Sequence, residues 1–87
     1  MTVENWSVEV RRQPSGAVTV RGRTIGGAGP ETVETCYTLS RLPTAGAAAR
    51  VVAGLLCATP GRVVEVESGK TKAGESWRKL RVAVERG

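Results

Sequence analysis

Apolar and polar residues alternate along most of the chain, and the period changes only once. From Asn5 to Arg12, Trp6, Val8 and Val10 share one face while Ser7, Glu9 and Arg11 share the other. A period of two predicts a half-buried strand. Gln13-Pro14-Ser15-Gly16 follows, with Pro and Gly placed where a chain reversal needs a fixed φ and a free one. Ala17 to Ile25 resumes the alternation, with Val18 and Val20 inward and Thr19, Arg21 and Arg23 outward. These two strands read as a hairpin. Residues Gly26 to Pro30 form a glycine-rich connector, and Glu31 to Leu39 predicts a third strand with Tyr37 and Leu39 on its buried side.

A helical period then takes over. Thr44, after Leu42-Pro43, is suited to N-capping, and the helix is expected from Ala45 to Ala58, ending before Thr59-Pro60-Gly61. Its apolar face is Ala48, Val51, Val52, Leu55 and Leu56, and Arg50 is its only charge. So apolar a helix needs cover, from the sheet and, as a further candidate, from a second subunit. Two more strands follow. Arg62 to Glu67 sets Val64 and Val66 against Glu65 and Glu67, and Ser68 to Glu75 reads as a polar loop. Ser76 to Arg86 turns Leu80, Val82 and Val84 inward and Trp77, Lys79 and Arg81 outward.

The order β-β-β-α-β-β predicts an α+β fold for residues 1–87 as a single domain. It is an antiparallel sheet of about five strands with one helix packed on one face and the other face open to water. A right-handed crossover is expected to set the fourth strand beside the first.

Composition thins the core and removes most chemistry. A chain of 87 residues buries only about 60–65% of its unfolded surface. Thirteen Val stand against no Phe, so bulk must come from Trp6, Trp77 and Tyr37. There is no His and no Asp, which excludes His-activated nucleophiles and imidazole metal ligands. No enzyme activity, cofactor or metal is expected. Gly69-Lys70-Thr71 ends like a phosphate-binding loop, but Val64 occupies the position of its first glycine and no helix follows. No segment resembles a signal peptide or a membrane span, so a cytoplasmic location is expected. Cys36 and Cys57 are then expected to be reduced and buried.

Charge supplies the functional lead. Thirteen bases, ten of them Arg, face eight Glu, for a net +5. That balance favours a polyanion. Arg11, Arg21, Arg23, Trp77, Lys79 and Arg81 converge on the open face if the parities hold, and Lys70 and Lys72 extend the set from the last loop. Cations interleaved with an exposed ring suit single-stranded DNA or RNA, gripped by its backbone with weak sequence preference. Glu9, Glu65, Glu67 and Glu85 fall on the same face, with Glu65 opposite Lys79 when Val64 pairs with Leu80. Their expected effect is to neutralise part of the platform. The alternative is a protein-interaction module, such as an inhibitor, an accessory subunit or a small viral or mobile-element protein. It would act through a sheet edge or the apolar helix, with a homodimer among its forms.

Overall fold

A computed structural model describes residues 2–26 and 31–86. Most of the expected connector from Gly26 to Pro30 lies outside the described residues. The elements are β1 (Thr2–Arg12), β2 (Ala17–Thr24), β3 (Thr32–Thr38), α1 (Ala45–Leu55), β4 (Thr59–Lys70) and β5 (Ser76–Arg86). All five strands join one antiparallel sheet in the order β3-β2-β1-β5-β4. The fold class and element order are as the alternation predicts. The position of β4 is not: β5 lies beside β1, and β4 forms the outer edge. The hairpin between β4 and β5 is a short local connection, and it places the fully amphipathic β5 inside the sheet beside β1.

One sheet face carries the core. Trp6, Val8, Val10, Val18, Val20, Leu80, Val82 and Val84 are buried beneath Ala48, Ala49, Val52 and Ala53 of α1. The helix therefore presents a stripe of small residues to the sheet, rotated from the expected one. Val52 is central, Val51 is half-buried, and Leu55 is 45% exposed. The backbone of α1 can approach closely because Gly22 of β2 lies under it. A Cβ there would meet Val52 Cγ1 at 3.2 Å and Trp6 Cε3 and Val33 Cγ2 at 3.3 Å.

Both helix ends are capped. Thr44 Oγ1 accepts from Ala47 N at 3.2 Å, as expected of an N-cap. At the C-terminus, Ala58 N donates to Ala53 O and Cys57 N to Gly54 O. This is the paired closure that usually places Gly in the left-handed position. Here Cys57 holds it, at φ 53°. The helix stops at Leu55, three residues before the expected end, because this closure turns the chain out of it.

Three burial expectations are corrected. Cys36 and Cys57 are both free and exposed: Cys36 lies on the outward face of edge strand β3, and the left-handed turn carries Cys57 outward. Leu39 is 38% exposed, because β3 ends at Thr38 and the chain leaves the sheet there, with Leu39 N bonded to Gly16 O. In β4, Val63 faces the core opposite Val82, while Val64 lies outward beside Arg81. The adjacent valines left the parity open, and a slip of one residue reverses every side chain. An irregularity between Glu65 and Glu67 then sets Glu65 opposite Leu80 and Glu67 opposite Lys79. Strand pairing also runs through to Lys70, so the expected loop from Ser68 shrinks to a turn closed by Thr71 N to Glu75 O.

Length mismatch leaves part of the core face open. An 11-residue helix spans about 16 Å. Strands of 11–12 residues span roughly 36–40 Å, matching a molecule 41 Å long. No helix of the described residues is long and apolar enough to cross a membrane.

Candidate nucleic-acid interface

The uncovered face of the sheet is organised in rows set by strand register. The middle row reads Glu34, Arg21, Glu9, Lys79, Glu67 across β3, β2, β1, β5 and β4. Charge alternates at every step. Cross-strand neighbours of opposite sign stabilise a sheet and hold each other's side chains flat. Arg21 Nε donates to Glu34 Oε2 at 3.0 Å. The expected neutralisation is thus real, but its partners differ: Glu67, not Glu65, opposes Lys79. Glu65 lies on the helix side, its Oε1 3.3 Å from Arg78 Nε.

The row nearer the β1–β2 turn reads Cys36, Thr19, Arg11, Trp77, Gly69. Arg11 donates to both Glu9 and Glu75. The bond to Glu9, and after it the bond to Glu75, hold its guanidinium above its ordinary pKa, so this cation is committed internally. Trp77 is half-buried because its ring lies across Gly69. A Cβ at Gly69 would come within 2.9 Å of Trp77 Cζ2 and 3.3 Å of Nε1. An indole shielding a glycine backbone repairs a weak point in an edge strand. Lys79 Nζ lies 5.4 Å from the ring centroid, within cation–π range.

The row on the other side reads Thr32, Arg23, Ser7, Arg81, Val64. Arg23 and Arg81 are both exposed and make no ion pair among the described residues. They stand two strand spacings apart, about 10 Å, with only the Ser7 hydroxyl between them.

The structure therefore brings Arg11, Arg21, Arg23, Trp77, Lys79 and Arg81 to one face, as the parities predict. It divides them into committed cations, Arg11 and Arg21, and uncommitted ones, Arg23, Arg81 and Lys79. The other two expected residues do not join them. Lys70 pairs with Ser76 in register with Arg12, which puts it on the helix side. Lys72 lies in the turn beyond the strands. Strand length, not loop composition, decides this: once β4 reaches Lys70, its parity is fixed.

Sequence reasoning missed Arg12, Arg41 and Arg78. Two of them carried a signal. Arg12 is in phase with Val8 and Val10, and Arg78 with Leu80 and Val82, so both belong to the core face at its uncovered end. Arg41, in the connection to α1, carried none. Among the described residues, no cluster of three or more His, Cys, Asp or Glu could hold a metal. Comparison of the chain with known protein families, with curated proteins and with solved structures gives no match.

Proposed function

We propose that the protein is a non-catalytic module that binds single-stranded nucleic acid on its open sheet face. One observation carries the reading: Arg23 and Arg81 stand in one row without carboxylate partners, one row from Lys79 and two rows from the Trp77 ring. Uncommitted guanidiniums suit phosphates, which they meet with two parallel N–H donors. Trp77 supplies a ring already held in place by Gly69, so stacking a base costs little side-chain ordering. The ion-paired part of the middle row, Arg21 with Glu34, keeps the platform flat and adds little affinity. Contacts of this kind read the backbone rather than the base edges, so sequence preference is weak.

The sheet edges favour this reading over recruitment of a partner strand. Outer strand β4 carries Pro60, two irregularities of register and the charges Arg62, Glu65 and Glu67, features that blunt an edge against pairing. Edge strand β3 has only seven residues.

The test is Trp77→Ala, with fluorescence anisotropy of labelled single strands and duplexes of the same sequence. Base–aromatic stacking contributes ~1–3 kcal/mol, so single-strand affinity should fall roughly 5- to 150-fold while duplex affinity changes little. Equal affinity for single strand and duplex, unchanged by Trp77→Ala, would remove stacking from the account.

A further inference from the structure

A second excess of unneutralised charge lies on the other side of the sheet. Because α1 covers less than half the strand length, the core face continues past it at the end where β1 stops and β5 begins. Two rows of side chains emerge there. One is Arg12, Ser76, Lys70 across β1, β5 and β4, and the next is Val10, Arg78, Ser68. The chain segment from β3 to α1 passes alongside and adds Arg41 and Ser40. Apart from the buried Val10, these residues, with Leu42, Gly69 and Trp77, line an open cleft of about 500 Å³.

Four bases, Arg12, Arg41, Lys70 and Arg78, line this cleft with no carboxylate among the lining residues, and one of them, Arg78, pairs with Glu65 beside it. Arg12 Nε donates to Leu39 O at 2.9 Å, which fixes the guanidinium and leaves its remaining four N–H donors free. Arg41 and Lys70 are exposed and make no ion pair among the described residues. Arg78 is half-buried, its side chain 22% exposed. Three serine hydroxyls complete the set of donors.

We infer that this cleft binds an oligophosphate group. The cations that carry this inference are not those of the open face, although the cleft reaches Gly69 and Trp77 at the edge of that face. Three guanidiniums and an ammonium select a tetrahedral oxyanion over a neutral ligand, and Arg forks fit phosphate oxygens in pairs. The local excess of three positive charges is larger than a single phosphate carries, about −1.5 to −2. The volume lies within the range of small-ligand sites. Two sources share this chemistry: a free oligophosphate, such as that of a nucleoside triphosphate, and the 5′-triphosphate end of a nucleic-acid chain.

The experiment is a titration with sodium tripolyphosphate at constant ionic strength, followed by ¹⁵N NMR of the arginine Nε–H groups. Saturable shifts confined to Arg12, Arg41 and Arg78 are expected. Arg41→Gln with Lys70→Gln should weaken binding at least tenfold, and both side chains are free of internal partners, so the fold is kept. Arg23→Ala with Arg81→Ala should leave it unchanged. Non-saturating shifts spread equally over Arg23, Arg81 and the cleft would overturn the inference, as would full affinity in the Arg41/Lys70 variant. Paired oligonucleotides with a 5′-triphosphate or a 5′-hydroxyl separate the sources. A triphosphate advantage lost in the Arg41/Lys70 variant identifies a strand end. Equal affinity beside tight tripolyphosphate binding identifies a free ligand.

Discussion

Gly22→Ala adds one methyl at the closest approach of α1 to the sheet. The backbone of Gly22 lies within β2 without a positive φ, so alanine brings no conformational strain and its whole effect is steric. Three carbons on three elements stand 3.2–3.3 Å from the new Cβ: Val52 Cγ1, Trp6 Cε3 and Val33 Cγ2. Each must yield a few tenths of an ångström to reach ordinary carbon–carbon contact. Trp6 and Val52 are fully buried and have no free space to yield into. Overpacking of this kind costs about 1–3 kcal/mol, and the smaller unfolded-state entropy of alanine returns roughly 0.4–1 kcal/mol. The net is a loss of about 1 kcal/mol, or a Tm lower by roughly 4–8 °C for a chain this size. Gly46→Ala and Gly54→Ala are the controls. Both positions lie in α1 with no atom within 4 Å of a new Cβ, so each should gain about 0.5–1 kcal/mol. Thermal unfolding followed by circular dichroism reads all three. A Gly22→Ala protein more stable than the parent would refute the packing argument.

Cys57→Gly should stabilise the protein. It relieves a left-handed φ of 53°, which costs roughly 1–2 kcal/mol in a residue with a Cβ, against about 0.5–1 kcal/mol for the added freedom of the unfolded chain; a lower denaturant midpoint would contradict this. Burial raises the pKa of Tyr37 above its ordinary value of 10.0. Its stabilising share is therefore complete below that ordinary value and lost as pH climbs through the folded pKa. A phenolate absorbance midpoint above pH 10 is the expected result, with part of the alkaline destabilisation removed by Tyr37→Phe; a midpoint at or below 10 would contradict the burial.

Strands with strict alternation were legible because only one parity buries their apolar set. In β1 and β5 a single phase places Trp6, Val8 and Val10, or Leu80, Val82 and Val84, in the core, and every outward charge follows. β4 was not legible. Val63-Val64 offers two phases, and the irregularity after Glu65 changes phase within the strand, so the partners of Lys79 and Arg78 could not be read from spacing. Strand order was hidden for a different reason: two local hairpins can dock in more than one way, and the choice depends on how α1 packs over both. The open face, carried mostly by the regular strands, emerged nearly whole. The cleft stayed hidden because it requires both the strand order and the shortfall of helix against strand length.

The salt dependence of single-strand binding tests the central claim most directly. Each phosphate neutralised on a single strand contributes about −0.7 to the slope of log affinity against log salt. Three uncommitted cations, Arg23, Lys79 and Arg81, predict a contribution near −2 from the open face, or about an 18-fold loss of affinity between 50 and 200 mM salt. Arg23→Ala with Arg81→Ala should make the slope shallower by about 1.4, leaving roughly a threefold loss from this face. Arg21→Ala should change the slope far less, because Arg21 is already spent on Glu34. A slope identical in the parent and the Arg23/Arg81 variant, or no binding at 50 mM salt, would contradict the assignment of this face to nucleic acid.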